Sequence, residues 1–591
     1  MHSKNSILAR FNEQVELAAS NTAVISNGRT TSYGDVNAQA NRLARRLIER
    51  GVTLGAPVGL CAEFSLEWVV GMLAILKAGG ACVPLDPNHP SHRLNLAATD
   101  ANLHLILMQE GSQPNFCEPG IEWLHIGEAI EECTAEISDE PSAVVDGRQT
   151  AFILYTSGSS GSPKGVMMVH ESFVNLSFVH QRAFDLDATS RVLLYGAPSH
   201  GNVINSAITA LLNGAAVVTV LYADLVPDQT LIQLIQHNAV SHLHMPPSAL
   251  AALPVEDLPS LRVLTVGGEP LHNQLARRWR TAERRVFNTY GTTEANWLAL
   301  YETNQKFGSD VLPIGQPIAN MEAFIVDPDL RPVATRAEGE VLIAGIGLAS
   351  GYLNRPDLTD AAFLELPKHQ LGRAGEGTVR CYRTGDRGRQ RADGVIELLG
   401  RIDSQVKIRG FRVELGEVEF ALLGMPDIGQ AAVVAQKDQK GEAQLVAYFV
   451  PKSERAPSIK SLRLHLMQLL PKHMVPVLFM SVDALPLLDN GKLDRRALPK
   501  PRFDRDQLDG DYLAPKNHLE VSLAEIWQDL LGLESLPGAT DNFFDLGGHS
   551  LLASGMVAQI AIDMGKRITV RDVFQAPTIA CLLYTSPSPR D

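Results

Sequence analysis

The sequence predicts an α/β large lobe over residues 1–403, a small α+β lobe over 404–500 and, after a linker at 501–515, an all-α bundle over 516–580 that is expected to be incomplete. Three observations lead there. A chain of 591 residues exceeds what a single hydrophobic core supports. Short β-branched runs at 58–61, 153–155, 217–221, 263–266 and 341–344 alternate with helical text, the pattern of an α/β architecture with largely parallel sheets. Near Asp403 the Gly-rich loops give way to a compact β/α pattern, and 499–515 is a charged, Pro-bearing stretch with no apolar period.

In chain order, residues 35–50 place Val36, Ala40, Leu43, Leu47 and Ile48 at helical spacing. The apolar run from Trp68 to Leu76 is stopped by Lys77 and the Gly79-Gly80 pair, too short to span a bilayer. The N-terminus carries no signal-peptide pattern. Ala151–Tyr155 reads as a strand that feeds a Gly/Ser loop, and 517–533 puts apolar residues on one helical face. The last stretch, Cys581 to Asp591, resembles the translation of a sequencing-library adapter, so the bundle is expected to lose its last helix after Ala580.

An apolar content of 45% and a charged content of 20% are those of a soluble globular protein. The net charge of −14 argues against a nucleic-acid partner, and nothing points to a membrane. Six cysteines without metal-type spacing read as free thiols in a reducing cytoplasm.

Residues 156–166 read Thr-Ser-Gly-Ser-Ser-Gly-Ser-Pro-Lys-Gly-Val. Gly158, Gly161 and Gly165 let the backbone approach a ligand, the hydroxyls of Thr156, Ser157 and Ser159 surround it, and Lys164 adds a charge. Successive amides in such a loop form an anion-binding nest. A Walker-type loop needs Gly-Lys followed by Ser or Thr, and here Pro163 precedes Lys164 and Gly165 follows it.

Further motifs follow in order: 76–87 (Leu-Lys-Ala-Gly-Gly-Ala-Cys-Val-Pro-Leu-Asp-Pro), 288–294 (Asn-Thr-Tyr-Gly-Thr-Thr-Glu), 339–353, 382–386 (Tyr-Arg-Thr-Gly-Asp), 400–410 and 490–498 (Asn-Gly-Lys-Leu-Asp-Arg-Arg-Ala-Leu). With the Gly/Ser loop, they make the chain resemble the adenylate-forming enzymes, specifically the adenylation domains of nonribosomal peptide synthetases, from about residue 20 to 580. That resemblance implies ATP-dependent activation of a carboxylic acid as acyl-AMP. Thr156 and Lys164 would act on the phosphates together with Lys492. Ser157, Gly158, Ser159, Gly161, Gly268, Tyr290, Gly291, Thr293, Asp386 and Arg401 would complete the nucleotide site. Tyr290 would lie at the adenine, and Asp386 would accept from the ribose hydroxyls. Glu294 would hold Mg²⁺, which prefers hard carboxylate oxygen. Asp403 would be the hinge between two lobe orientations, of which only one brings Lys492 to the phosphates. Two positions depart from the pattern: Thr292 replaces a proline and Leu398 an aromatic residue.

The text Asp-Leu-Gly-Gly-His-Ser-Leu-Leu at 545–552 resembles the attachment site of peptidyl carrier domains. Ser550 would carry 4'-phosphopantetheine, installed by a separate phosphopantetheinyl transferase. A nucleophile elbow requires Gly-x-Ser-x-Gly and fails at Leu552.

Aligned with the family, the acid pocket comprises His200, Gly201, Asn202, Asn205, His244, Leu264, Val266, Thr289, Trp297 and Leu298. Amino-acid-activating relatives carry an aspartate at the place of Gly201, and no Asp or Glu occurs between Arg191 and Tyr222. A buried α-ammonium without a carboxylate is costly. The expected substrate is therefore a small-molecule carboxylic acid that lacks an α-amino group, with Asn202, Asn205 and His244 pointing to a polar group on it. Because only a short lead precedes the first motif, a loading module or an independent synthetase-like enzyme is expected, with downstream synthetase domains as partners. The competing readings are an acyl-CoA ligase using free coenzyme A, a module for an ordinary amino acid, and a non-catalytic scaffold.

Overall fold

The computed structural model describes residues 5–109, 120–132, 144–158, 162–303, 310–403, 405–437, 443–453, 456–486, 493–495, 497–500, 512–533, 535–548, 550–566 and 568–585. Two sheets dominate the large lobe. One has nine strands in the order Gln316–Pro317, Asn296–Glu302, Arg285–Thr292, Val263–Gly267, His242–Met245, Arg191–Leu193, Ala216–Thr219, Thr22–Ser26 and Arg29–Ser32. The other has six, in the order Glu122–His125, Leu105–Met108, Pro57–Cys61, Ala81–Leu85, Thr150–Thr156 and Lys164–Val169. Their interiors are parallel; antiparallel strands close both edges of the nine-stranded sheet and one edge of the six-stranded sheet, whose other edge, Glu122–His125, is parallel. The run at 341–344 lies instead in a five-stranded sheet whose pairings are all antiparallel. β-branched composition identifies a strand but does not reveal its partner's direction.

The two sheets share one large core. Helix Tyr33–Glu49 is capped by the Ser32 hydroxyl, which accepts from the Asp35 amide at 3.1 Å, and buries Val36, Ala40, Leu43, Ala44 and Leu47. Helix Leu66–Lys77 is apolar all round and buried from Trp68 to Lys77. Its Lys77 ammonium, 2% exposed, donates to Asn12 Oδ1 at 3.2 Å. Among the described residues no helix is long and apolar enough to cross a membrane.

The small lobe has its own core, from Ile408 to Phe479. Helices Leu415–Leu423 and Ile459–Leu469 pack with the sheet Ile428–Lys437, Ala443–Pro451 and Leu478–Ser481. A short hairpin, Val406–Ile408 and Phe411–Val413, precedes them. The bundle holds helices His518–Leu531, Ser550–Asp563, Val570–Gln575 and Ile579–Thr585 around Trp527 and Phe543, whose rings meet edge-on at 5.0 Å. The last helix, expected to be lost after Ala580, continues to Thr585. It does so because Leu582 supplies a core side chain, 2% exposed.

Candidate active site

Strands Thr150–Thr156 and Lys164–Val169 pair so that Thr156 stands opposite Lys164, and the Gly/Ser loop joins them. A Cβ on Gly158 would lie 2.1 Å from the Ser162 carbonyl oxygen, so only glycine permits this approach. Thr156 Oγ1 is buried without a partner among the described residues. An orphaned hydroxyl beside a glycine-lined loop and a lysine fits a phosphate-bearing ligand. Ser159 and Gly161 lie outside the described residues.

Lys164 Nζ is 3.3 Å from Glu294 Oε1, donates to the Tyr352 hydroxyl at 3.1 Å and lies 4.4 Å above that ring. Burial pushes the Lys164 ammonium down, while Glu294 opposes this. The Glu294 side chain is fully buried in a single turn, Thr293–Ala295, between two strands. It accepts 2.8 Å bonds at both oxygens from Arg412 Nη1 and a 2.7 Å bond from the Tyr352 hydroxyl. Burial alone would raise its pKa, but Arg412, Lys164 and Tyr352 outweigh burial and hold it at about 2. Gly291 sits at a register shift of strand Arg285–Thr292, where a Cβ would meet the Asn296 carbonyl oxygen at 2.0 Å. Thr292 Oγ1 is buried without a partner among the described residues. Leu398 packs, half-buried, against the large core.

The Tyr290 hydroxyl donates to Asp386 Oδ2, and Arg401 donates to Asp386 Oδ1 at 2.7 Å. Arg401 also grips Asp403 through two 2.7 Å bonds. One guanidinium thus ties the expected ribose ligand to the expected hinge. Lys407 Nζ lies 5.5 Å from the Tyr290 ring centroid.

The hairpin of the small lobe reaches into this site. Its tip, Gly410, packs 3.3 Å from where a Gly268 Cβ would stand, and its amide donates to Glu269 Oε1 at 2.6 Å. The Ser157 hydroxyl donates to the Arg412 carbonyl at 2.8 Å, and the Gly158 amide donates to Glu417 Oε2 at 3.1 Å. Glu417 in turn pairs with Arg93 at 2.8 Å. In this arrangement a carboxylate and a guanidinium of the small lobe stand at the loop amide and at Glu294. Arg93, Tyr352, Arg412 and Glu417 were not among the sequence-derived candidates. Arg412 and Glu417 fall just beyond the 400–410 motif, and nothing in sequence spacing shows that they face another lobe's loop.

His200 stands at the N-cap position of helix Gly201–Leu212 without a side-chain capping bond, and its ring meets Phe411 edge-on at 5.5 Å. Phe411 stacks on His473 at 4.0 Å, so the hairpin also covers this end of the pocket. Burial lowers the His200 pKa to about 4. A Cβ at Gly201 would make only an ordinary 3.4 Å contact with Leu154, so space does not force a glycine there. Asn202 Oδ1 accepts from Trp297 Nε1 at 3.2 Å, and Asn205 donates to Asn296 Oδ1 at 2.7 Å. Both amides therefore already bond to the wall. His244 Nδ1 is 3.0 Å from Thr265 Oγ1, and its ring lies 5.7 Å from Trp297. The Thr289 hydroxyl bonds the Val266 carbonyl at 3.3 Å. The ladder pairs His244 with Thr265, so strand alternation sends Leu264 and Val266 to the opposite face from His244. Leu298 is fully buried in the core.

Ser550 opens helix Ser550–Asp563, and its side chain, like the whole of Lys492, lies outside the described residues. The glycines before it are explained by packing. A Cβ on Gly548 would strike the Phe543 ring at 2.3 Å, and Gly547 has φ +99°. Arg463 of the small lobe donates to Asp545 Oδ1 at 2.7 Å, to the Phe544 carbonyl and, at 3.2 Å, to the Val477 carbonyl. The attachment motif is thereby docked on the small lobe.

Comparison with known proteins matches residues 11–353 to the AMP-binding enzyme family, 417–492 to the AMP-binding enzyme C-terminal domain and 521–583 to a phosphopantetheine attachment site. A linear gramicidin synthase polypeptide of Brevibacillus parabrevis is 40% identical over 96% of this chain, which spans 11% of that protein. Tyrocidine synthase 1 of the same organism is 36% identical over 97% of the chain, which spans 52% of it. Among solved structures, holo-PA1221, an NRPS protein containing adenylation and PCP domains bound to a vinylsulfonamide inhibitor, superposes with a TM-score of 0.82 at 28% identity, covering 98% of this chain and 96% of that one. The chain therefore belongs to the AMP-binding enzyme family, as an adenylation domain of the nonribosomal peptide synthetase kind followed by a phosphopantetheine-attachment carrier domain.

Proposed function

We propose that the chain converts a carboxylic acid and ATP to acyl-AMP and pyrophosphate, then passes the acyl group to the phosphopantetheine thiol on its own Ser550, releasing AMP. The observation that carries this reading is the convergence of Lys164, orphaned Thr156 Oγ1, Glu294 and Asp386 at the ends of the strands beside a glycine-lined loop. In the adenylating step Thr156, Lys164 and the amides of Ser157, Gly158, Ser159 and Gly161 stabilise the phosphate charge. Gly268, Tyr290, Gly291 and Thr293 line the adenosine, with Asp386 and Arg401 at the ribose. Mg²⁺ at Glu294 would neutralise charge on the leaving pyrophosphate.

In the described arrangement Arg412 and Glu417 stand at two of these places, and the attachment motif is docked on the small lobe. This supports assigning it to the transfer step. For adenylation the small lobe must turn at Asp403, withdraw the hairpin and bring Lys492 to the α-phosphate. Lys492→Ala is therefore expected to cut ATP–pyrophosphate exchange about 100- to 1000-fold, the usual cost of losing one charge-stabilising donor. Transfer of chemically prepared acyl-AMP to the carrier should change far less, and equal loss in both would refute the assignment. Ser550→Ala should leave exchange intact and abolish carrier loading. A phosphopantetheinyl transferase is the partner this requires.

The acid is proposed to lack an α-ammonium, because Gly201 stands where amino-acid-activating relatives carry an aspartate and no Asp or Glu occurs between Arg191 and Tyr222. Exchange assayed over amino, hydroxy, keto, aryl and fatty acids tests it. Activity with non-amino acids alone is the expected result, and strong exchange with an ordinary α-amino acid would sink it.

A further inference from the structure

Behind the aligned pocket residues lies a cavity of about 20 Å³, room for one small polar group or one water. His244 forms part of its wall, so it adjoins the acid pocket. The other polar groups on its wall are Ser206, Thr209, Thr265, His242 and His180. All but His180 already have partners. Ser206 donates to the Asn202 carbonyl at 2.9 Å and Thr209 to the Asn205 carbonyl at 2.7 Å. Thr265 meets His244 at 3.0 Å. The His242 ring is bonded at both nitrogens, 2.8 Å from Ser241 Oγ and 2.9 Å from the Phe184 carbonyl.

His180 differs. It lies on helix His170–Phe184, in none of the sequence motifs, and is 8% exposed. Its Nε2 is buried with no partner among the described residues. The ring packs 4.9 Å from Trp297, and Trp297 in turn lies 5.7 Å from His244. An apolar body against Trp297 would thus deliver its far end to His180. Burial, followed by the nearness of His242 and His244, lowers the His180 pKa to about 3, so the imidazole is neutral at working pH. A neutral ring pairs with an uncharged group, and a hydroxyl can donate or accept as the tautomer demands.

We propose that His180 is a further specificity-determining residue, whose Nε2 holds an uncharged hydroxyl at the distal end of the acid being activated. This rests on the acid pocket proposed above but not on the absence of an α-amino group. The test is ATP–pyrophosphate exchange by the full chain on acid pairs that differ only in a terminal hydroxyl, such as 3-(4-hydroxyphenyl)propionate and 3-phenylpropionate, ω-hydroxy and plain fatty acids, and tyrosine and phenylalanine. The wild type should favour the hydroxylated member by at least tenfold in kcat/KM, because a site built to bond a hydroxyl rejects its absence. His180→Phe should abolish or reverse that ratio, and His180→Gln should keep part of it. An unchanged ratio in His180→Phe, or equal loss on both members, would overturn the proposal. If only the tyrosine pair reacts, the α-amino reading fails while the ratio still reports on His180. The melting temperature without substrate gives a second, substrate-independent readout. Removing an unpaired buried nitrogen should raise it in His180→Phe. A fall shared by His180→Phe and the nearly isosteric His180→Leu would show that Nε2 has a structural partner, and would equally overturn the proposal.

Discussion

Glu294 shows how far one side chain can be read in advance. Its carboxylate was legible from Thr-Thr-Glu as a ligand for positive charge. The identity of the charge was not, because Arg412, which pairs with both oxygens at 2.8 Å, stands more than a hundred residues away in another lobe. Lys164 and Asp386 were legible for the same reason as Glu294, since each belongs to a short local motif. His180 was not, since a lone histidine on an apolar helix face reads as core. Arg412→Gln removes a charge-assisted bond worth about 1.5–3 kcal/mol. Carrier loading in a single turnover should fall about 10- to 100-fold, with ATP–pyrophosphate exchange within threefold of wild type. The low pKa of Glu294 fixes a sign for acid stability. A carboxyl held at about 2 rather than 4.5 stabilises the fold above pH 4.5, and that contribution disappears as pH falls toward 2.

The hairpin Val406–Ile408 and Phe411–Val413 turns through Arg409 at φ +51° and Gly410 at φ +81°. Its glycine stood in the sequence only as the end of the 400–410 motif, and the surface that the turn meets was not legible. A Cβ on Gly410 would be strained at that φ and would lie 3.1 Å from Pro246. Gly410→Ala should therefore slow carrier loading while sparing exchange, as measured by the same two assays. Helix Tyr33–Glu49 was legible because one face is polar. Helix Leu66–Lys77 gave no directional signal because helix Tyr33–Glu49 on one side and sheet strands on the other cover it, and only its length excluded a membrane span. In the bundle, helix Ile579–Thr585 depends on few buried side chains. Leu582→Ala should destabilise the bundle by about 2–5 kcal/mol, seen as an earlier first transition in calorimetry of the full chain.

Across the whole molecule, lobes and bundle meet through polar anchors and apolar contacts, among them Val226 of the large lobe against the bundle core. Composition revealed the separate cores but not the strand orders, which depend on long-range pairing. Arg463, bonded to Asp545 and to the Phe544 carbonyl, is the clearest anchor between the small lobe and the bundle. Arg463→Ala should lower the loading rate about tenfold without altering exchange. Buried neutral histidines set a second acid response. His180 and His242 have pKa values of about 3 and 4, below the 6.5 of the unfolded chain. The unfolded state takes up their protons first, so stability falls as pH drops below 6.5, by at most about 1.4 kcal/mol per pH unit for each residue. Replacing both by glutamine should flatten the decline in melting temperature between pH 6.5 and 4.5. The bond from the Gly158 amide to Glu417 has a consequence for affinity. While the hairpin is seated, the nest meets cellular phosphate and free nucleotide already filled by an internal tenant. The apparent ATP affinity is then the intrinsic one scaled by the fraction of molecules whose tenant has left. Evicting it, as in Glu417→Ala, should tighten ATP binding even as the second half-reaction slows.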